Sequence, residues 1–182
     1  MVLFTRQNRQ STRRIHEGHI INLRMDTVRT PDGHEATREV VEHNGGVVIA
    51  SLTAEQKVIL VKQYRYSIDR DLLELPAGRI EANEDPFPAA RREFTEETGY
   101  FAHQWKELSR FYSAPGFCDE ILYMYLATDL EMREKKLDFD EETEVVEISL
   151  AEGWEMVMDG RIQDAKTIAG LGLIQAHLQQ ST

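Results

Sequence analysis

Residues 78–100 read GRIEANEDPFPAARREFTEETGY. Asp85-Pro86 opens a helix well, because proline's missing N–H is no loss in the first turn. Ala89, Ala90 and Phe94 then form an apolar stripe, and Gly99 suits the left-handed residue that ends a helix. The spacing predicts a helix from Pro86 to just before Gly99. On it, the carboxylates of Glu93, Glu96 and Glu97 fall within an arc of ~100°. Like charges three and four residues apart weaken a helix by a few tenths of a kcal/mol per pair. Two of the three also lie near the C-terminal end, where the helix dipole disfavours anions. A cation on that face accounts for both penalties. Oxygen-only ligands suit Mg²⁺ or Mn²⁺ rather than zinc, and Mg²⁺ held by few carboxylates keeps waters and bridges substrate phosphates. A surface ion pair between Arg92 and Glu96, one turn apart, is the alternative use of that glutamate.

On either side of this helix the pattern is strand-like. Ile21, Leu23 and Met25 alternate with polar Asn22 and Arg24, the period of a half-buried strand. Pro31-Asp32-Gly33 marks a turn, and Ala36 to Glu42 reads as the returning strand. Gly46–Ala50 and Val58–Val61 read as buried strands joined by a hairpin through residues 53–56, and Leu72–Leu75 as a short strand ending at Pro76-Ala77-Gly78. Beyond the helix, strands are expected at Trp105–Tyr112, Ile121–Ala127 and Val145–Leu150, and helices at Ala151–Asp159 and Asp164–Leu178. The first 18 residues are polar, carry Arg6, Arg9, Arg13 and Arg14, and lack the apolar stretch of a secretory signal. An Arg- and Ser-bearing start also resembles a transit peptide, but the reading adopted is a flexible N-terminus.

Composition narrows the function classes. The chain has 182 residues, 21 Lys or Arg against 32 Asp or Glu, and one cysteine, Cys118. Its length suits one core, and its net charge of −11 disfavours binding to nucleic-acid phosphates. Residues 71–182 carry 24 of the acids. Twelve of the 32 sit in two groups: Glu81, Glu84, Asp85, Glu93, Glu96 and Glu97, then Asp138, Asp140, Glu141, Glu142, Glu144 and Glu147. The longest apolar run, about Gly45–Leu52, is far short of the ~20 residues that span a bilayer, so no membrane partner is expected. One cysteine excludes an internal disulfide and a cysteine zinc site, which fits a cytoplasmic setting. His16, His19, His34, His43, His103 and His177 show no metal-binding spacing. Gly170-Leu171-Gly172 lacks the context of a nucleotide loop, and Cys118 lacks a partner for nucleophilic chemistry. Trp105, Tyr112 and Phe117 could stack on a base, although core packing is the commoner use of such rings.

The quoted segment resembles the Nudix hydrolase signature. Gly78, Glu84, Arg92, Glu93, Phe94, Glu96, Glu97, Gly99 and Tyr100 match it at every position. The likeness extends over about residues 19–178. Residues 38–43 (REVVEH), 60–65 (LVKQYR), 73–78 (LELPAG) and 113–120 (SAPGFCDE) all look like the ADP-ribose pyrophosphatase branch. It implies an α+β fold, an α/β/α sandwich with a mixed sheet, preceded by an N-terminal antiparallel hairpin. Residues 1–43 would then be the tail and hairpin, and 44–182 the hydrolase domain.

The resemblance also implies a function: Mg²⁺-dependent hydrolysis of ADP-ribose, and by extension of other nucleoside diphosphate sugars. Glu93 and Glu97 would be metal ligands, with Glu96 as a third and the Ala77 carbonyl as a backbone ligand. Arg65 resembles a branch arginine that contacts the diphosphate; Arg38, Gly78, Pro115, Gly116 and Glu120 are further substrate-binding candidates. A glutamate on a loop of this branch serves as base or additional ligand. Alignment on Glu144-Val145-Val146-Glu147 selects Glu144, with Glu141 and Glu142 as runners-up; Glu96 and Glu97 are the other catalytic candidates. Enzymes of the branch are homodimers that exchange N-terminal strands, and the same is expected here. A house-cleaning nucleoside triphosphate pyrophosphatase and a non-catalytic ligand sensor are the competing readings. The hairpin, Pro115 and the acidic 140–144 loop disfavour the first; the intact box disfavours the second.

Overall fold

The computed structural model describes residues 5–133 and 143–180. The strands are β1 (Arg9–Glu17), β2 (Ile21–Arg29), β3 (Glu35–His43), β4 (Gly46–Ser51), β5 (Lys57–Arg65), β6 (Arg70–Glu74), β7 (Ala77–Arg79), β8 (Tyr100–Tyr112), β9 (Ile121–Met132) and β10 (Thr143–Ser149). The helices are α1 (Pro86–Thr98), α2 (Leu150–Met158) and α3 (Ala165–Gln180). The chain forms two compact units. One comprises the segment ending at Gly45 together with Tyr112–Ile121; the other comprises Gly46–Phe111 and the segment from Leu122 onward.

In the first unit β1, β2 and β3 form an antiparallel sheet in that order. The expected hairpin is there, with a turn closed by Gly33 at φ 92° and by Gly33 N donating to Thr30 O at 2.9 Å. The N-terminal expectation needs correcting, because Arg9–Glu17 is a third strand rather than a flexible tail. Every residue of β1 is exposed, so the apolar alternation that signals a strand is missing. Charge and polar pairs across the sheet take its place: Thr12 donates to Asp26 Oδ1 at 2.8 Å, and Arg14 pairs with Glu42. In β2 the period is as expected but the phase is not. Arg24, Asp26 and Val28 are the buried positions. Arg24 tolerates burial because Asp26 and Glu42 both bind its guanidinium. The segment between β8 and β9 is stitched to β3: Val41 N donates to Phe117 O at 2.7 Å, and Asp119 N to Val41 O at 3.1 Å.

The second unit is the α/β/α sandwich. One sheet runs β7-β4-β9-β8 and the other β10-β5-β6. The β4–β9 pair is parallel and the β4–β7 pair antiparallel, so the first sheet is mixed. β4 is buried at every residue. Val47 and Ile49 join Ile59, Ala89, Ala90 and Phe94 beneath α1. Val48 and Ala50 face the opposite layer with Leu75, Met124, Leu171 and Ile174 from the α3 side. The turn at residues 53–56 exists, with Gln56 at φ 58°, but it carries the chain from one sheet to the other instead of closing a hairpin. Both strands are apolar on both faces, and that pattern does not say which neighbour each will pair with.

Candidate active site

The signature helix forms where expected. Gly99 sits at φ 73°, and its N–H donates to Thr95 O at 2.9 Å, closing the last turn. Burial of Ala89, Ala90 and Phe94 fixes the rotation of α1, and that rotation presents its carboxylates to the segment after β6. Glu97 is 3% exposed, and its Oε2 accepts the Ala77 N–H at 3.0 Å. Gly78 lies directly under Glu93. A Cβ at residue 78 would sit 1.9 Å from Glu93 Cδ and 2.2 Å from both carboxylate oxygens. The glycine is therefore required by close approach, not by an unusual backbone angle.

The Leu75–Ala77 segment is also held by α3 and β4. Leu75 N donates to Thr167 Oγ1 at 2.8 Å, and Pro76 O accepts from Ile49 N at 2.8 Å. Gly170, inside α3, leaves room for Leu75: a Cβ there would come within 2.2 Å of Leu75 Cδ1. So Gly170-Leu171-Gly172 serves helix packing, in keeping with the sequence reading that it is no nucleotide loop.

Arg92 organises the glutamates. Its Nε and Nη2 donate to the two oxygens of Glu84 at 3.1 and 2.9 Å. Its Nη1 donates to Glu93 at 2.8 Å and to Glu96 at 3.1 Å. The hydrogen bonds to Glu84, set against desolvation, raise the Arg92 pKa, and they hold the Glu84 carboxyl below the usual carboxylate range. The Arg92–Glu96 pair, the alternative use of that glutamate, is thus present as one arm of a four-residue cluster. The signal for the rest was the fixed spacing from Glu84 to Arg92, which sequence reasoning matched without assigning a contact.

As positioned, no three His, Cys, Asp or Glu side chains among the described residues converge as an ion would need. Glu96 leans to Arg92 and Glu97 to the Ala77 amide. The chemistry of the donors still fits a hard divalent cation. Glu93, Glu96, Glu97 and the Ala77 carbonyl supply oxygen only, and the space over Gly78 that a Cβ would fill holds the Glu93 carboxylate.

Arg65 lies in the same unit. Its Nε and Nη2 each donate to Glu74 at 2.7 Å, and Glu97 contributes to the field that raises its pKa, after the Glu74 hydrogen bonds. Glu144 is exposed on β10, in register with Lys62. Its neighbour Thr143 donates to Glu97 O at 2.9 Å. Glu141 and Glu142 lie outside the described residues. In the other unit Arg38, Pro115 and Gly116 line one cavity of about 310 Å³, together with Arg6, Arg9 and Cys118. Glu120 lies on the same loop, 3.3 Å from His43 Nδ1. Sequence reasoning gave no role to Glu74, although it lies within LELPAG, nor to Lys166 and Thr167, which carry no motif that marks them.

Three comparisons bear on identity. A NUDIX domain model matches residues 42–170, and a model for the N-terminal domain of nucleoside diphosphate sugar hydrolases matches residues 9–41. A methanol dehydrogenase activator of Bacillus methanolicus is 38% identical over 166 residues, 90% of each chain. An ADP-ribose pyrophosphatase of Bacillus subtilis is 40% identical over 163 residues, 88% of each chain. A crystal structure of an ADP compounds hydrolase superposes with a TM-score of 0.84 at 20% identity, over 95% of this chain and 94% of that one, which supports the fold. With the intact signature standing on α1 above Gly78, and a family model spanning most of its length, this chain belongs to the Nudix hydrolase family.

Proposed function

We propose that the chain hydrolyses the pyrophosphate bond of ADP-ribose, and of related nucleoside diphosphate sugars, to a nucleoside monophosphate and a sugar phosphate. The observation that carries this reading is the Glu93 carboxylate seated on Gly78 beside buried Glu97, in a chain 40% identical to an ADP-ribose pyrophosphatase. Glu93, Glu96, Glu97 and the Ala77 carbonyl hold Mg²⁺, or Mn²⁺ in its place. When bound, such an ion polarises a phosphoryl oxygen and acidifies the attacking water. The protein's own part is positioning: Arg92 keeps Glu93 and Glu96 on one side of α1, and the Ala77 amide orients Glu97. Glu144 acts as the base. Gly78 and Arg65 contribute to binding the diphosphate, and Arg38, Pro115, Gly116 and Glu120 to binding the rest of the substrate.

Residues 1–43 serve dimerisation and substrate binding, and residues 44–182 serve hydrolysis. A homodimer with exchanged N-terminal strands is supported by β1, exposed throughout, and by Ile15, Ile20 and Ile21, which are 45%, 58% and 39% exposed. The single cysteine suits a cytoplasmic setting, and among the described residues no helix is long and apolar enough to cross a membrane. The test is a substrate panel of ADP-ribose, GDP-mannose, UDP-glucose, NADH and nucleoside triphosphates with Mg²⁺ and product analysis. ADP-ribose turned over fastest, to AMP and ribose 5-phosphate, is the expected result. Turnover of nucleoside triphosphates alone would overturn the substrate class and leave the family intact.

A further inference from the structure

Behind Arg65 lies a buried charge cluster that the reaction scheme above does not use. Glu74 is 1% exposed, yet its carboxylate meets three charged donor atoms: Arg65 Nε, Arg65 Nη2 and Lys166 Nζ. Burial opposes its ionisation, but the Arg65 hydrogen bonds and Lys166 outweigh it and hold the carboxyl below the usual range. Lys166 Nζ also pairs with Asp164 at 3.0 Å. Asp164 Oδ2 in turn accepts from Thr167 N at 2.9 Å and from Thr167 Oγ1 at 2.6 Å, which caps α3. Two carboxylates and two cations make the cluster neutral, so it adds no net attraction for an anionic substrate. What it adds is direction. The fork of Arg65 is gripped along its Nε–Nη2 edge, a fixed planar geometry that leaves Nη1 and the outer hydrogen of Nη2 for another acceptor. Arg65 remains partly exposed, with a side-chain relative area of 38%, and it feels Glu97.

The same turn of α3 that supplies Lys166 supplies Thr167, the acceptor for Leu75 N, two residues before Ala77. One helix start thus fixes both the arginine and the strand that carries the Ala77 carbonyl. We infer that Glu74 and Lys166 are positioning residues that aim the Arg65 guanidinium at the substrate's diphosphate. This rests on the proposed function. A cluster that only stabilised the fold would change melting temperature and leave the affinity of folded enzyme for the diphosphate untouched.

The test is steady-state kinetics on ADP-ribose with Mg²⁺, using the full chain and the variants Glu74→Gln, Arg65→Ala, their double and Lys166→Met, each with a thermal melt. Glu74→Gln is expected to raise KM ~10-fold with kcat within about 3-fold, because a ground-state contact is misaimed rather than chemistry removed. In the Arg65→Ala background the same substitution should change KM by less than about twofold, since the residue acts through the arginine. Lys166→Met leaves the fork intact and should raise KM ~3-fold with the same dependence on Arg65, and it carries the test if Glu74→Gln does not fold. A folded variant with unchanged KM, or equal effects in both backgrounds, overturns the inference. A wild-type chain that leaves ADP-ribose intact overturns the proposed function as well, so the two failures are told apart.

Discussion

Gly78→Ala separates a steric requirement of the site from the stability of the fold. The added Cβ would lie 1.9 Å from Glu93 Cδ. Ordinary carbon–carbon contact is ~3.5 Å, so the carboxyl must retreat by about 1.6 Å. Misplacing a reacting or ligating group by ~1 Å costs on the order of 100-fold in rate, or about 2.7 kcal/mol of barrier. Gly78 is not among the positive-φ residues, so alanine suits the backbone there. A Gly-to-Ala change at such a position gains roughly 0.4–1 kcal/mol from the unfolded state, which offsets part of the strain. The assay is kcat and KM on ADP-ribose at saturating Mg²⁺, beside a thermal melt. The expected outcome is kcat lower by ~100-fold or more with Tm within ~5 °C of wild type. Activity within a few-fold of wild type would show that Glu93 works from elsewhere and would refute the cradle.

Other perturbations test neighbouring parts of the account. Glu97→Gln should lower turnover by orders of magnitude with the fold intact, since an amide oxygen still accepts the Ala77 N–H; near-normal kcat would remove Glu97 from the ligand set. In α3, Gly170→Ala drives a methyl to within 2.2 Å of Leu75 and should cost ~1–3 kcal/mol in denaturant unfolding. Gly172→Ala meets nothing nearer than 3.9 Å and should stabilise by up to ~1 kcal/mol with activity unchanged; reversed signs would show α3 packing otherwise. Glu84 has a folded pKa lowered by Arg92, so its contribution is fully present above the ordinary carboxylate pKa and is lost as pH falls through the lower folded value. Melts from pH 6 to pH 3 should therefore show a steeper acid loss for wild type than for Glu84→Gln, and identical slopes would contradict the clamp. Glu144→Gln should reduce kcat far more than Glu141→Gln, and the opposite ranking would move the base from Glu144 to Glu141.

The parts of the molecule legible in the sequence share one property: a local pattern whose physics is complete in a few residues. Helix α1 has its opening proline, apolar stripe and closing glycine within one stretch, so its bounds and its carboxylate face were readable. The β2–β3 turn was readable for the same reason. β1 was not, because its partners are charged residues far along the chain and every position is exposed. The phase of β2 was misleading because burial there falls on Arg24 and Asp26, whose charges are satisfied by Glu42 and by each other. Short β7 escaped notice, since three residues carry no period. In the site, residue types at fixed spacing named Glu93, Glu96 and Glu97, and LELPAG named Ala77 and Gly78. Which oxygen meets which donor depends on tertiary approach. Arg65 resembled a substrate-facing arginine, yet its first partner is Glu74, nine residues on and buried under α3.

The central claim is that an oxygen-ligand cation site on α1 drives hydrolysis of a nucleoside diphosphate sugar. Phosphorus NMR of ADP-ribose incubated with the purified chain tests it directly, run with Mg²⁺, with a chelator, and with Glu97→Gln plus Mg²⁺. The account predicts that the diphosphate resonances give way to two phosphomonoester resonances of equal intensity in the first sample only. Diphosphate signals that persist with Mg²⁺, or that disappear equally in the chelated sample, would contradict it.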